Sequence, residues 1–285
     1  MKLGYNTNGL TAHRWEQALE LMHDIGYQSV AITVDHLCLD PYSSNLPHEL
    51  SRMQRLLERY EMVSCVESGA RFLLDPRDKH QPTLISANES ERMVRLDFLK
   101  RCIDIARSLG SEAMSFWSGA LRDAVPRSVA FARLADGIRE LLDYAGATGV
   151  RLAFEPEPGM LVQTFDDYRD LLALVDGPCF GLCVDIGHVH CIEARPIAEY
   201  LAEWSDRIFT VHIEDMVQGV HEHLPFGHGT IDFAPVLAAL RDSGYRGGLN
   251  VELSRHSHIA PQTLRESFDF LSNLLIATPN PPARS

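Results

Sequence analysis

Four polar residues in the second half of the chain each follow a short apolar run of strand-like composition. They are Glu155, Asp185, His212 and Glu252, spaced 30, 27 and 40 residues apart. Each interval has roughly the length of one strand-plus-helix unit, about 30 residues or more. A fold that gathered the ends of these runs would place three carboxylates and one imidazole side by side.

Such a cluster has the chemistry of a metal site. Three carboxylates held together in a low-dielectric pocket repel one another strongly, and a divalent cation removes that repulsion. Three oxygen ligands and one imidazole suit Mn²⁺ best, then Mg²⁺ or Co²⁺, with Zn²⁺ less favoured. An octahedral ion would keep one or two positions for a substrate. The competing interpretation, that each acid only caps a helix or pairs with an arginine, is weak for four residues at successive strand ends.

The elements that must position these residues alternate along the whole chain. Segments with apolar residues at helical spacing separate eight strand-like runs. Gly26 and Gly149 indicate helix ends, and Thr164 with Asp167 forms a capping-box pattern. The predicted strands are 2–6, 29–34, 62–66, 113–117, 150–154, 180–184, 207–211 and 248–251.

This alternation predicts a parallel sheet. Eight repeats in about 275 residues favour a closed barrel over an open doubly wound sheet. We therefore predict an α/β fold, a single (β/α)8 TIM barrel over residues 1–277, followed by a flexible C-terminal tail over 278–285. Active residues of such barrels lie at the carboxyl ends of the strands. The predicted metal site accordingly lies at the C-terminal face.

With these strand ends the chain resembles the xylose isomerase-like TIM barrels, the broad group of sugar phosphate isomerases and epimerases in the AP endonuclease family 2 superfamily. The resemblance runs from about Lys2 to Leu275, and its motifs are specific as a set. They are Phe154-Glu155-Pro156-Glu157, Val184-Asp185-Ile186-Gly187-His188, Val211-His212-Ile213-Glu214-Asp215, Asn250-Val251-Glu252 and the loop from His221 to Phe233.

The resemblance implies that Glu155, Asp185, His212 and Glu252 hold one divalent metal ion. It also implies that Glu155 and Glu252 act as the acid/base pair and that His188 contacts a substrate oxygen. A metal that chelates a carbonyl and the adjacent hydroxyl stabilises an enediolate, while one glutamate removes the α-proton and the other returns a proton. The expected protein is a sugar, sugar-phosphate or polyol isomerase or epimerase.

Two alternatives share the same site. Loss of a β-hydroxyl after proton removal would make the protein a keto-polyol dehydratase, and the sequence does not choose among these reactions. A non-catalytic metal- or sugar-binding pathway protein is the third interpretation. The retained pair Glu155 and Glu252 argues against it, because a binding protein needs no second ligated base.

Two polar residues beside these motifs are candidates for substrate binding. Glu157 either hydrogen-bonds the substrate or orients His188. His223 lies in the long loop after the seventh strand and shares its candidacy with His221 and His228, exposed loop histidines being the alternative for all three.

Two further candidates lie earlier in the chain. Trp117, at the end of the fourth strand, is either a wall for the apolar face of a sugar or a core residue. Arg71 belongs to the long segment 68–89, which breaks the strand–helix rhythm on the metal side. That segment is either a lid, a site for a phosphate or carboxylate group, or a solvated loop.

Charge and composition restrict the partners. A net charge of −13 disfavours nucleic acid and anionic membranes as partners. Endonuclease IV has additional metal-ligating histidines at strands three and four, where this chain reads Val66-Glu67-Ser68 and Phe116-Trp117-Ser118. A DNA repair nuclease is therefore disfavoured. His36, after the second strand, is the one remaining candidate ligand for a second metal ion.

The remaining composition predicts a cytoplasmic protein that acts on a small-molecule sugar or polyol. The first residues turn polar too soon for a signal peptide, and no apolar run approaches the roughly 18 residues of a membrane span. Six cysteines without a CxxC pair are typical of reduced, mostly buried thiols. The sequence leaves the oligomeric state open, homo-oligomers being common in the families that the chain resembles.

Overall fold

Eight parallel strands close into a barrel in this computed structural model, which describes residues 1–277. The predicted tail, 278–285, lies outside the described residues. The first barrel strand pairs with both the second and the last, which closes the sheet. The strands are β1 (Lys2–Asn6), β2 (Ser29–Thr33), β3 (Val63–Glu67), β4 (Met114–Phe116), β5 (Leu152–Phe154), β6 (Phe180–Asp185), β7 (Ile208–Ile213), the hairpin strands β8 (Asp215–Val217) and β9 (Val220–Leu224), and the last barrel strand β10 (Gly248–Val251). The predicted (β/α)8 TIM barrel is confirmed.

The helices follow the barrel strands and cover their outer face. Five of the barrel strands are buried along their whole length: β2, β4, β5, β6 and β10. Strands of a parallel sheet that are covered on both faces typically have nearly continuous apolar sequences, which is why these strands could be read from the sequence. The helices are α1 (Trp15–Ile25), α2 (Leu46–Arg59), α3 (Glu89–Leu109), α4 (Arg127–Thr148), α5 (Phe165–Leu172), α6 (Ile186–Ile192), α7 (Ile197–Glu203), α8 (Phe233–Asp242) and α9 (Ala260–Ala277).

The helix boundaries agree with the predicted signals. Gly26 and Gly149 end α1 and α4 with φ of +116° and +76°, a left-handed conformation that glycine adopts without steric cost. Thr164 and Asp167 form the predicted capping box at the start of α5, each side chain bonding the backbone N–H of the other. These local signals, with the apolar stripes, determine where each helix begins and ends.

Two elements after the sixth and seventh barrel strands were not predicted. Helix α6 begins directly at the end of β6, because the Asp185 side chain accepts a hydrogen bond from the backbone N–H of His188. The segment expected to be a long loop contains the antiparallel hairpin of β8 and β9, joined by a two-residue turn in which Gly219 has φ +77°. The polar composition of β9 conceals its strand period, so no strand was predicted there.

The state of the cysteines and the apolarity of the helices can be compared with the predictions of reduced, buried thiols and of no membrane-spanning run. All six cysteines are free, and five of them are buried. Within residues 1–277, no helix combines the length and the apolarity that crossing a membrane needs.

Candidate metal centre and substrate cavity

The four predicted ligand residues meet at the carboxyl ends of β5, β6, β7 and β10. One ligand atom from each of Glu155, Asp185, His212 and Glu252 lies within 4.8 Å of all the others. The Nδ1 atom of His212 is 3.0 Å from Oε2 of Glu252 and 3.5 Å from Oε1 of Glu155. Two carboxylates therefore converge on one imidazole nitrogen, in the part of the barrel where the fold predicts a site.

The other nitrogen of His212 is held by an acid, Glu67, that was not among the predicted site residues. Oε1 of Glu67, at the end of β3, lies 2.8 Å from His212 Nε2. Asn6 donates to the same oxygen at 2.7 Å, and the Thr33 hydroxyl donates to the other at 2.5 Å. A carboxylate behind a histidine fixes the ring and its tautomer, as in many metal sites. His212 thus presents Nδ1 to the cluster.

Asp185 and Glu252 are each tied to the scaffold through one oxygen. Oδ1 of Asp185 accepts from the backbone N–H of His188 at 2.8 Å. Oε1 of Glu252 accepts from Asn8 at 2.9 Å. Oδ2 of Asp185 is buried and has no hydrogen-bond partner among residues 1–277. Because a buried lone oxygen of this kind is costly, it is a donor atom that suits a cation.

The pKa values of the two clustered glutamates are shifted in opposite directions. Burial raises the pKa of Glu155 to about 7, the charges of Glu252 and Asp185 add to the rise, and His212 opposes it. Burial also pushes the pKa of Glu252 upward, but the hydrogen bond and charge of His212 outweigh it and leave that pKa below its ordinary value. The two glutamates differ in proton affinity although they contact the same imidazole.

His212 is the positive partner of this cluster. Burial alone would lower its pKa, yet Cys183, Glu67 and Glu155 raise it well above the ordinary value for histidine. A divalent cation would supply two positive charges at the point where the carboxylates meet. The donor set, the buried lone oxygen of Asp185 and the carboxylate behind His212 all fit such an ion.

These residues open into a cavity of about 260 Å³. All five side chains proposed for substrate binding line it together with three of the four candidate ligands. The side chains that line it include Arg71, Lys79, His80, Trp117, Glu155, Glu157, His188, His212, His221, His223, Glu252 and Arg255. The volume and the polar lining fit a molecule of monosaccharide size.

Glu157, in the loop after β5, and His188, on α6, line the cavity. Burial raises the pKa of Glu157 to about 8, with the charges of Glu155 and Glu252 adding to the rise, so its carboxyl can donate a hydrogen bond. His188 does not contact Glu157 through a hydrogen bond in this structure. Its Nδ1 lies 3.6 Å from Glu155 Oε1, and its Nε2 lies 3.0 Å from His221 Nε2. His188 therefore connects the candidate ligands to the hairpin.

Trp117 follows β4 and Arg71 follows β3, and both side chains line the same cavity. The Trp117 ring is half-buried, with the His80 ring edge-on at 5.4 Å and the Arg95 guanidinium 4.9 Å from its centroid. Arg71 donates to the Asn8 carbonyl at 2.9 Å and lies 3.4 Å from Asp35. Segment 68–89 thus reaches the cavity through Arg71, Lys79 and His80.

Glu67 was missed although it satisfies the rule that selected the other acids. It ends a buried strand, β3, at the same face of the barrel. This strand end, Val66-Glu67-Ser68, was considered only for its lack of a histidine. A carboxylate can contact either the metal ion or the histidine that ligates the ion. Which of the two it contacts depends on the barrel geometry and not on its position in the sequence.

Replacing Glu67 by glutamine tests its role. We expect the affinity for a divalent ion to fall by about 10–100-fold, because the amide is a weaker and uncharged partner for His212 Nε2. Titration calorimetry with Mn²⁺ measures this change. Glu58→Gln, an exposed change on α2, is the matched control. Unchanged affinity in Glu67→Gln would contradict the orienting role.

A closed (β/α)8 barrel with ligand-type side chains at its C-terminal face defines the class, that of the TIM-barrel proteins with a site at the strand ends. Within that class the chain belongs to the xylose isomerase-like TIM barrel family, whose model matches residues 19–274. The family resemblance predicted from the strand-end motifs is confirmed.

Curated relatives of this chain include 3-epimerases of a phosphorylated ketose. The L-ribulose-5-phosphate 3-epimerase UlaE of Salmonella typhi is 27% identical over 241 residues, which cover 84% of this chain and 82% of the relative. The corresponding Escherichia coli protein is 26% identical over 240 residues with the same coverage, 84% and 82%. The matches thus cover most of this chain and most of each relative.

Solved structures agree on the fold. A D-tagatose 3-epimerase-like protein superposes with a TM-score of 0.79 at 21% identity and covers 98% of both chains. D-allulose 3-epimerase from Methylomonas sp. in complex with D-allulose gives 0.75 at 19% identity over 96% of each chain. The IolI protein with a bound zinc atom gives 0.77 at 19% identity, covering 99% of this chain and 100% of that one.

Proposed function

We propose that this protein is a divalent-metal-dependent epimerase of a ketose or ketose phosphate. The observation that carries the proposal is the convergence of Glu155 and Glu252 on one nitrogen of His212, inside a cavity of about 260 Å³. Two carboxylates that reach the same small cavity can act as base and acid on one bound molecule. The relatives that are 3-epimerases favour epimerisation over aldose–ketose isomerisation.

Glu155, Asp185, His212 and Glu252 would hold the metal ion, with Mn²⁺ as the best match to their three carboxylates and one imidazole. Bound there, a divalent ion would supply positive charge that polarises a carbonyl and an adjacent hydroxyl oxygen and so favours an enediolate. Glu67 would keep the ring of His212 in place for this purpose through its 2.8 Å contact with Nε2.

The two glutamates perform the proton transfers. One carboxylate takes the proton from the carbon next to the substrate carbonyl, and the electron pair of that C–H bond passes into the enediolate. The other carboxyl returns a proton to the opposite face of the same carbon, which inverts its configuration and regenerates the carbonyl. A carboxylate and a carboxylic acid are both needed at the start, and the unequal proton affinities of Glu155 and Glu252 fit that requirement.

The remaining lining residues position the substrate. Glu157 and His188 can hydrogen-bond its hydroxyl and carbonyl oxygens, and Trp117 offers an apolar wall to the carbon skeleton. The rim carries Arg71, Lys79 and Arg255, cations that can receive a phosphate. This rim, together with the phosphorylated substrate named for the curated relatives, favours a ketose phosphate.

Deuterium exchange tests the proposal directly. The protein is incubated in D₂O with Mn²⁺ and a panel of ketoses, keto-polyols and their phosphates, and products are followed by NMR and mass spectrometry. We expect one deuterium next to the carbonyl and the appearance of the epimer. Loss of water from the substrate would instead identify a keto-polyol dehydratase. No exchange with any compound, together with no bound metal, would overturn the proposal.

A further inference from the structure

A buried arginine lies behind the part of the cavity that Trp117 lines. Arg95 is on α3, which packs against β3 and β4, and it is only 2% exposed. Its Nη2 donates to the Ser68 carbonyl at 3.2 Å, whereas its Nη1 has no hydrogen-bond partner among the described residues. No carboxylate within residues 1–277 pairs with it. Arg95 is therefore a buried cation without a counter-charge.

The guanidinium of Arg95 contacts two aromatic rings instead. Its Cζ atom lies 5.2 Å from the ring centroid of Phe98, one turn further along α3, and 4.9 Å from that of Trp117. Burial lowers the pKa of Arg95 to about 10, so the side chain stays positively charged at neutral pH. A cation is attracted to the face of an aromatic ring, and the attraction strengthens where water is excluded. Arg95 thus holds the indole from its buried side.

The long segment after β3 holds Trp117 from other directions. The His80 ring stands edge-on to the indole at 5.4 Å, and its Nδ1 lies 2.8 Å from the Gly69 carbonyl oxygen. Because a carbonyl oxygen only accepts, Nδ1 carries the proton and the ring is fixed. Thr83 packs against Gly119, where an added Cβ would lie 2.5 Å from its Cγ2. Trp117, Gly69 and His80 all line the cavity and together form the Trp117 wall.

Arg95 connects the two parts of the Trp117 wall. Ser68 is the first residue after β3, and its backbone N–H donates to the Ser115 carbonyl on β4 at 3.1 Å. The Arg95 side chain binds the carbonyl of this same residue and covers the Trp117 ring. Displacement of the guanidinium would therefore release the start of the segment and the indole together.

Packing alone does not account for an arginine at this position. Removing a guanidinium from water is costly, and the single hydrogen bond to Ser68 offsets only part of that cost. Apolar residues of similar volume often replace a buried charge without loss of stability. What an apolar residue cannot supply is the directed attraction to an indole face and the hydrogen bond to a carbonyl.

We propose that Arg95 is a positioning residue for substrate binding, which keeps the Trp117 wall in the orientation that receives the substrate. The inference rests on the proposed function, in which Trp117 contacts the carbon skeleton of a ketose. Arg95 does not touch the substrate and takes no part in the proton transfers of Glu155 and Glu252. Its loss therefore weakens binding and leaves the chemistry of a bound substrate nearly unchanged.

Kinetics of Arg95→Met test the positioning role. The substrate is the compound of the D₂O panel that exchanges with the wild-type protein. We expect its KM to rise about 5–30-fold, the range that loss of a buried cation–π contact corresponds to, while the exchange rate at saturation stays within about twofold. Arg95→Lys retains a cation and should recover part of the affinity. Arg107→Met, an exposed change on the same helix, is the matched control and should keep the wild-type KM.

The signal of Trp117 gives a second measurement that needs no turnover. The chain has three tryptophans, and the difference between wild type and Trp117→Phe isolates the contribution of Trp117. In Arg95→Met we expect this residue to lose its near-ultraviolet circular dichroism band and to become more accessible to acrylamide quenching. The midpoint of thermal unfolding should not fall, because the buried charge is replaced by an apolar side chain.

Two kinds of result would overturn the positioning role. One is an unchanged KM or an unchanged Trp117 signal in folded Arg95→Met. The other is a large fall in the unfolding midpoint of both Arg95 variants, which would make the residue structural. Failure of the epimerase proposal appears separately, as absent exchange in the wild-type protein, and the Trp117 signal then decides the role of Arg95 by itself.

Discussion

Glu252→Gln is expected to lower the rate of deuterium exchange next to the substrate carbonyl by about 10²–10⁴-fold while metal binding is largely retained. The amide oxygen can still accept from Asn8, which donates to Oε1 at 2.9 Å, and can still serve as an oxygen ligand. An amide cannot accept or deliver the proton. The variant therefore separates ligation from acid/base chemistry.

Two measurements on the same sample check this result. Exchange is followed by NMR in D₂O, and bound Mn²⁺ is counted by elemental analysis. Glu140→Gln, an exposed change that removes only the charge facing Lys100, is the matched control and should exchange at the wild-type rate. Glu252→Gln with full exchange activity would show that this carboxylate is not the base. Loss of both metal and exchange would show that the amide does not preserve ligation, which would contradict the expected separation of ligation from proton transfer.

Glu155→Gln is the natural comparison for that experiment. Glu155 has the higher pKa of the pair, at about 7, because of burial and the charges of Glu252 and Asp185. If it is the acid that returns the proton, its glutamine variant still allows proton removal. Exchange without epimer formation would then show that Glu252 removes the proton and that Glu155 returns it to the opposite face.

The barrel could be predicted from the sequence because its signals are local and repeated. Each strand is a short buried run, each helix has an apolar stripe, and glycines such as Gly26 and Gly149 mark the ends. Strict alternation leaves few topologies. The acids and the histidine at the strand ends could be selected because a parallel barrel places all such ends on one face.

The environment of those residues could not be predicted in the same way. The 2.8 Å contact between Glu67 and His212 joins strands that are far apart in sequence and on different sides of the barrel interior. Its existence depends on the width of the barrel and the reach of two side chains. Sequence spacing selects strand ends, but it does not distinguish an acid that binds an ion from one that orients a ligand.

The hairpin of β8 and β9 shows a different limit. Its second strand reads Val220-His221-Glu222-His223-Leu224, a mostly polar run that packs over the cavity instead of into the core. Period-two apolar patterning detects strands with one buried face. A strand whose inward face consists of histidines carries no such pattern. The approach of His188, His221 and His223 to one another was therefore hidden from the sequence.

Removal of divalent metal by a chelator is expected to abolish exchange and to lower the midpoint of thermal unfolding by about 5–10 °C. An ion present at about 100 times its dissociation constant stabilises the folded state by about 2.7 kcal/mol. A domain of this size changes its midpoint by about 2–4 °C per kcal/mol. The cause is local: three carboxylates that converge within 4.8 Å lose the cation that offsets their repulsion.

Asp185→Asn gives the control for this prediction. Asparagine is as good an N-cap as aspartate, so α6 should keep its first hydrogen bond, which now runs from His188 N–H to Oδ1 of Asp185. The variant loses one ligand charge, and its unfolding midpoint should respond little to chelation. Scanning calorimetry of both proteins with and without chelator measures the difference. A wild-type midpoint that does not respond to chelation would contradict the metal centre. An equal response in Asp185→Asn would place the stabilising ion away from Asp185.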